Sequence, residues 1–255
     1  MDRLVYTAHT AMTEHGLDRQ VLTHELANVS TIGFKKTFEI ANRAVRVEGE
    51  GFDTRFLPRA HSSPQVDLSE GARMVTGRPL DVAFNGKTVL AVQSDNGELA
   101  WTRRGDLAPD VEGFLRTGEG FLVLDDAAEP IQLPLDGSQY LIDEDGTVSF
   151  MDANNPQAGS QDIARLGIKD ASETALGRRE DGLFRPLENT DDGFDFETGP
   201  LPAFLTPGAL EGSNVSPVHT LVKFIDHMRS FEMQTKIIKE TKDNDASGSA
   251  MMRLG

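Results

Sequence analysis

The chain contains no cysteine. Disulfide scaffolds, thiolate zinc sites and cysteine nucleophiles are therefore excluded, while an oxidising compartment stays compatible. Long apolar runs are also missing; nothing approaches the roughly 18 residues of a membrane-spanning helix. The first twenty residues include Asp2, Arg3, Glu14, Asp18 and Arg19, so they hold no apolar core of a secretory signal. The expectation is a chain that is cytoplasmic, or exported by a route that cleaves no such signal. Aromatics are sparse, with one Trp and two Tyr, which leaves little stacking surface for a carbohydrate ligand. Basic residues are outnumbered, 25 Lys and Arg against 41 Asp and Glu. That acidity argues against nucleic acid as a partner.

The acidity is uneven. Residues 1–40 carry net −1, residues 216–255 net +1, and residues 41–215 hold the remaining −16. Nearly neutral ends around a strongly acidic middle suit a self-repelling outer surface with the association surface at the ends. A chain of 255 residues is long enough for one or two domains with a real core.

The stretch Gly208–Asp245 organises the rest. Leu221, Phe224, Met228, Phe231 and Ile238 recur in steps of three, four, three and seven, and Thr235 fills the intervening position. This is a heptad a/d pattern over about five turns, widened on its flanks by Ile225 and Ile237. Ser216 can cap the helix, and Pro217 suits its first position because it has no N–H to lose. Gly208, Gly212 and Asn214 read as a turn before it. A helix of roughly 25 residues with one narrow apolar face needs a partner, because isolated helices are marginal in water. That partner is either the chain's own domain or another helix in a coiled coil. Residues 1–29 hold a second pattern: Val5, Ala8, Met12, Leu22, Leu26 and Val29 share one heptad frame, with His15 and Arg19 between them. Gly16 weakens this helix by about 1 kcal/mol against alanine, and it is expected to end near Asn28 with Gly33 just beyond.

Between the helices the punctuation is that of β structure. Val89–Gln93 and Glu98–Thr102 flank Asp95-Asn96-Gly97, a hairpin signal. Phe114–Arg116, Phe121–Leu124, Tyr140–Ile142, Thr147–Phe150, Ile163–Ile168 and Leu183–Arg185 are further short strand candidates. Turns every eight to twelve residues predict an all-β sandwich or barrel. Residues 34–75, broken by Gly and Pro, read as a connector. Residues 189–207 read as an acidic loop leading back to the helical end. The predicted fold is mainly β with α-helical termini: a central all-β, sandwich- or barrel-like domain flanked by N- and C-terminal coiled-coil-forming helices. The division is a discontinuous helical domain over 1–35 and 208–255, a connector over 36–75 and a β domain over 76–207.

Five segments carry a resemblance. LANVSTIGFK (Leu26–Lys35), TGRPLDVAFNG (Thr76–Gly86), WTRRGDLAPDVEGFLRTGEGFLVL (Trp101–Leu124), DGTV (Asp145–Val148) and GALEGSNVSPV ahead of the C-terminal helix stand in this order. They resemble the motifs of the flagellar axial proteins, the rod and hook family, and span nearly the whole chain. The opening MDRLVYTA, the TGRPLD wording and the FEMQTKIIK ending are most similar to the proximal-rod type, with distal-rod and hook subunits as the alternatives. The family usually has Gly-Phe-Phe after the AFNG-like turn, where this chain has Lys87, Thr88 and Val89–Leu90; Trp101 stands where tyrosine is common. Both departures keep strand character.

The resemblance implies a structural subunit of the basal-body rod. Its terminal helices would pack with those of copies of itself and of other rod subunits into a hollow, torque-transmitting shaft. It implies passage through the flagellar export apparatus to the periplasmic side, with no cofactor, metal or small-molecule substrate. The residues expected at the subunit interface are Val5, Ala8, Met12, Leu22, Leu26, Val29, Leu221, Phe224, Ile225, Met228, Phe231 and Ile238. A periplasmic hydrolase and a β-domain module binding carbohydrate are the competing classes.

Catalytic and metal patterns are weak. His24-Glu25 opens like a zinc-peptidase motif, but Asn28 stands where the second histidine belongs. Gly118-Glu-Gly120 lacks the third glycine of a dinucleotide loop and reads as a hairpin. Asn189–Glu197 has the acidic density of a calcium loop without its ligand spacing. Asp125-Asp126 and Asp143-Glu144-Asp145 could pair as acid and base, but both fall at turns, where aspartate bonds its own backbone.

Overall fold

The computed structural model describes residues 18–38, 41–46, 56–61, 65–135, 139–151, 159–187 and 194–253, together with Met12 and Gly16. The chain divides into two compact units. Met1–Ala27, Glu39–Ser63 and Ser216–Gly255 form one; Asn28–Phe38 and Pro64–Val215 form the other.

Among its described residues the first unit is helical apart from one hairpin. Residues 18–27 are helical (α1) and end in a turn over 28–30, close to the expected position. Strands β1 (Ala41–Arg46) and β2 (Phe56–His61) pair antiparallel, from Ala41 opposite His61 to Arg46 opposite Phe56, inside the segment read as a connector. Helix α2 runs Pro217–Arg253, 37 residues and about 55 Å at 1.5 Å per residue. Its first backbone bond runs from the Thr220 amide to the Ser216 carbonyl at 2.9 Å. The expected length of roughly 25 residues is about twelve short of the 37 observed. No proline follows Asp245, and the good formers Ala246, Ala250, Met251 and Met252 offset Gly248, which costs about 1 kcal/mol. Ser247 returns its hydroxyl to the Asp243 carbonyl at 2.9 Å, so even the serine is accommodated.

Among its described residues the second unit has β-strands as its regular structure. Its strands are β3 (Arg73–Val75), β4 (Val82–Phe84), β5 (Thr88–Gln93), β6 (Leu99–Thr102), β7 (Leu107–Pro109), β8 (Leu115–Thr117) and β9 (Leu122–Val123). After these come β10 (Gln139–Ile142), β11 (Thr147–Met151), β12 (Ser160–Arg165), β13 (Ile168–Asp170), β14 (Leu176–Arg178), β15 (Phe184–Pro186), β16 (Leu205–Pro207) and β17 (Ala209–Glu211). The main sheet runs β14-β15-β6-β5-β9-β8-β7, with β13 on β5; β10-β11-β12 form a three-stranded sheet, and β16 pairs with β4 and β17 with β3.

Strand β5 explains the core. Its run TVLAVQ is apolar without alternation because both of its faces are covered, the pattern of a central buried strand. Leu90 and Val92 join Phe84, Leu107, Leu115, Val123 and Leu183 in one cluster. The intervening Val89 and Ala91 join Trp101, Leu176 and Phe184 in another. The β5–β6 hairpin forms as expected, with Gln93 opposite Leu99 and Gly97 at φ 80° in the turn, a value glycine reaches without strain. The expected strand Ile163–Ile168 is two strands, β12 and β13. Residues 208–215, read as a turn, include β17.

Candidate functional site

Two features stand out: the apolar surface of α2, and a charge cluster buried in the β unit. Along α2 the two rows of the expected heptad seam differ in exposure. Phe224, Phe231 and Ile238 are half-buried. Leu221 and Met228 remain 49% and 39% exposed, and so do Ile225 at 43%, Val222 at 51% and Val218 at 74%. Val218, Leu221, Ile225 and Met228 follow one another in steps of three, four and three, so they line one side of the helix. In the N-terminal frame, Met12 is helical and half-buried, Leu22 and Leu26 are half-buried in α1, and Val29 lies half-buried in the following turn. Val5 and Ala8 lie outside the described residues.

The charge cluster draws on three distant segments. Glu211 at the end of β17, Arg103 after β6 and Lys35 all have side chains no more than 1% exposed. Lys35 Nζ donates to Glu211 Oε1 at 2.6 Å and to the Ser69 carbonyl at 2.7 Å. The Gly71 amide donates to the same carboxylate oxygen at 2.8 Å. Arg103 Nε donates to Glu211 Oε2 at 2.8 Å, and its other nitrogens bond the carbonyls of Phe84, Gly86 and Thr88. Every partner is charged or a backbone group, so the burial of three charges is compensated by bonds rather than by water. Around this core residues 33–36 and 211–214 lie side by side. The Gly33 amide donates to the Glu211 carbonyl at 2.8 Å and the Asn214 amide to the Phe34 carbonyl at 3.2 Å. Asn214 Oδ1 accepts from the Lys36 amide at 2.7 Å, while its Nδ2 donates to the Asp67 carbonyl at 2.8 Å. Arg178 donates to the Lys35 carbonyl and stacks 4.2 Å from the centre of the Phe34 ring. Residues 33–36 and 211–214 are therefore held together inside the β unit.

Two consequences are measurable. Burial, reinforced by Arg103 and opposed by Glu211, pulls Lys35 down from 10.5 to about 8. A depressed folded-state value means the unfolded chain holds the proton more tightly between about pH 8 and 10.5. Stability from this group is then fully present above pH 10.5 and is lost as pH falls through 8. The unfolding free energy of the wild type relative to Lys35→Met should rise across that window, by at most about 1.4 kcal/mol per pH unit. Urea titrations of both proteins at half-unit pH steps measure this; a flat difference contradicts it. The second consequence concerns Gly33, at φ 69°, where an added Cβ would lie 2.5 Å from the Arg103 carbonyl oxygen. A left-handed backbone alone costs a side chain about 1–3 kcal/mol, and the contact is with backbone that cannot swing away. Gly33→Ala should lower the thermal midpoint of the β unit by several degrees in calorimetry.

The remaining sequence candidates are local. Asp125 Oδ1 accepts the amides of Ala127 and Glu129 at 2.9 and 2.8 Å. Asp145 accepts the Thr147 amide, and this bond and the Thr147 hydroxyl hold its carboxyl below the usual range. Both are turn aspartates, as expected. His24 and Glu25 lie in α1, and Asn28 Oδ1 accepts from the Thr31 hydroxyl. Asp195, in the acidic loop, accepts from Lys169 Nζ at 2.6 Å. A cavity of about 80 Å³ adjoins this pair beside Trp101 and Ile168, well under the roughly 300 Å³ where ligand pockets begin. No helix among the described residues is long and apolar enough to cross a membrane.

A β unit with a buried charge cluster, together with a long helix that exposes an apolar side, defines a structural subunit built for association. Comparison with known proteins agrees. Residues 206–251 match the model "Flagellar basal body rod FlgEFG protein C-terminal", and residues 83–150 match "Flagellar hook protein FlgE/F/G D1 domain". The chain is 35% identical to the flagellar basal-body rod protein FlgF of Escherichia coli strain K12 and 34% identical to that of Salmonella typhimurium strain LT2, with both chains fully covered in each case. It is 30% identical to the rod protein FlgG of Bacillus subtilis strain 168, over 93% of this chain and 94% of the relative. The chain belongs to the family of flagellar basal-body rod proteins.

Proposed function

We propose that this chain is a structural subunit of the proximal part of the rod, joined to neighbouring subunits through its terminal helices. In this reading residues 1–35 and 208–255 act as a discontinuous axial assembly domain. Residues 36–75 connect it to an outer β domain over 76–207. Helices from successive subunits pack side by side in coiled-coil fashion into a hollow shaft. A contact between two different surface patches does not close on itself, so it extends into a helical assembly. Torque then passes through many parallel helix contacts to the next rod segment. The partners are copies of this chain and other rod subunits. The chain reaches the periplasmic side through the flagellar export apparatus without a cleaved signal. The role requires no catalytic residue, cofactor, nucleic acid or small-molecule substrate.

The observation that carries this reading is the uncovered apolar side of α2 at Val218, Leu221, Ile225 and Met228. Water-exposed apolar groups in this register favour a second helix. The test is Phe231→Asp in the half-buried stripe beside it. The variant should fail to incorporate into basal bodies and abolish swimming, while its β unit stays folded. Fluorescence of the single tryptophan, Trp101, buried in the β unit, reports on that folding. Normal motility in this variant would overturn the assignment.

A further inference from the structure

Strand β3 is an open edge. Its only sheet partner among the described residues is β17. The Gly212 amide bonds the Ala72 carbonyl, and the Thr76 amide bonds the Gly208 carbonyl. In an antiparallel ladder hydrogen-bonded and non-bonded pairs alternate, so the backbone groups of Arg73 and Val75 point away from β17. All three residues of β3 are exposed. Val75 is 89% exposed and Met74 46% exposed. Native proteins blunt such edges or pair them, and an apolar residue this exposed at an edge is the opposite of blunting. Two arginines flank it. Arg73 is 40% exposed and bonds Glu70, and Arg78 is 58% exposed and lies 3.6 Å from Asp81, which is itself buried. The stretch Gly71–Pro79 contains no acidic residue.

The rest of the β unit has the opposite charge. Asn28–Phe38 and Pro64–Val215 hold 13 of the 25 basic and 28 of the 41 acidic residues, so this unit carries −15 of the chain's −16. Asp95 and Glu98 at the β5–β6 turn and Glu144 and Asp145 at the β10–β11 turn are exposed on it. We propose that the β3 edge is a second contact between subunits, and that it docks on the acidic surface of the β unit of another copy of this chain. Val75 forms the apolar centre, and Arg73 on the same face of the strand, Arg78 and the outward amides of the edge form a donor rim, the usual layout of an interface. Because an edge on one copy meets a different surface on the next, the contact does not close and is compatible with a growing shaft. The inference rests on the rod reading and adds to the helix contacts an outer tie that stiffens it.

The experiment places the photo-cross-linking residue p-benzoylphenylalanine at Val75 in the full chain, in motile cells, and irradiates purified basal bodies. The expected product has twice the chain mass, with the attached peptide lying in residues 64–215 of the second copy. An adduct with a different protein, or no adduct, overturns the proposal. Absence of the unmodified chain from basal bodies would instead sink the rod reading itself. A charge test accompanies it. Val75→Glu should reduce incorporation about tenfold relative to Val75→Lys, because the new carboxylate faces an acidic neighbour. Equal incorporation of the two overturns the proposal, since both substitutions remove the valine from an already exposed position.

Discussion

Replacing Glu211 with leucine is expected to lower the unfolding free energy of the β unit by about 3–5 kcal/mol, the range for removing one partner of a buried ion pair. The cost comes less from lost attraction than from what remains. Lys35 and Arg103, both fully buried, would face each other without the carboxylate between them, and the Gly71 amide would lose its acceptor. Since single domains are stable by only about 5–15 kcal/mol, the loss takes a large part of the total. With a urea slope of about 2 kcal/mol per molar, the midpoint read from Trp101 fluorescence should fall by about 2 M. The double variant Glu211→Leu with Lys35→Met should recover part of this. It removes one stranded cation and leaves Arg103 bonded to the carbonyls of Phe84, Gly86 and Thr88. A midpoint change below 0.5 M in the single variant would mean that the cluster does not fasten residues 33–36 to 211–214.

The second large effect is on assembly rather than folding. The double variant Ile225→Asp with Met228→Asp puts two carboxylates on the uncovered side of α2. Both residues are more than a third exposed, so the isolated protein should keep wild-type circular dichroism and Trp101 emission. Incorporation should nevertheless fall below detection, because each charge would be buried without a partner at the helix contact. Phe231→Asp differs in one respect: Phe231 is already half-buried, so that variant should also lower the melting temperature of the helical signal. Wild-type incorporation of the Ile225/Met228 variant would place the subunit contact elsewhere.

The contrast between these two sites shows what sequence reasoning reached. Helix α2 was legible because Pro217 suits a helix start and apolar residues repeat with the helical period over many turns. The β5–β6 hairpin was legible because Asp95-Asn96-Gly97 is a strong turn signal. Strands β3, β4, β7, β14, β16 and β17 have three residues each, too few for a period to emerge. What decides them is long-range pairing, such as Leu210 opposite Met74. The charge cluster was missed for a related reason. Lys35 and Glu211 are 176 residues apart, and charged residues ordinarily read as solvated surface. One signal was available: each of the three charges sits inside a quoted motif, Lys35 in LANVSTIGFK, Arg103 in WTRRGD and Glu211 in GALEGSN. Family motifs here encode the charge cluster in the β unit more than they encode the assembly surface.

The central claim is that α2 meets neighbouring subunits through the side that carries Ile225. The absence of native cysteine allows a direct measurement: maleimide labelling of Ile225→Cys in intact basal bodies, compared with Val111→Cys, which lies in the β unit and is 93% exposed. The account predicts that both variants label readily as free protein, and that Ile225→Cys alone becomes protected on assembly. Equal labelling of the two positions in assembled basal bodies would contradict it.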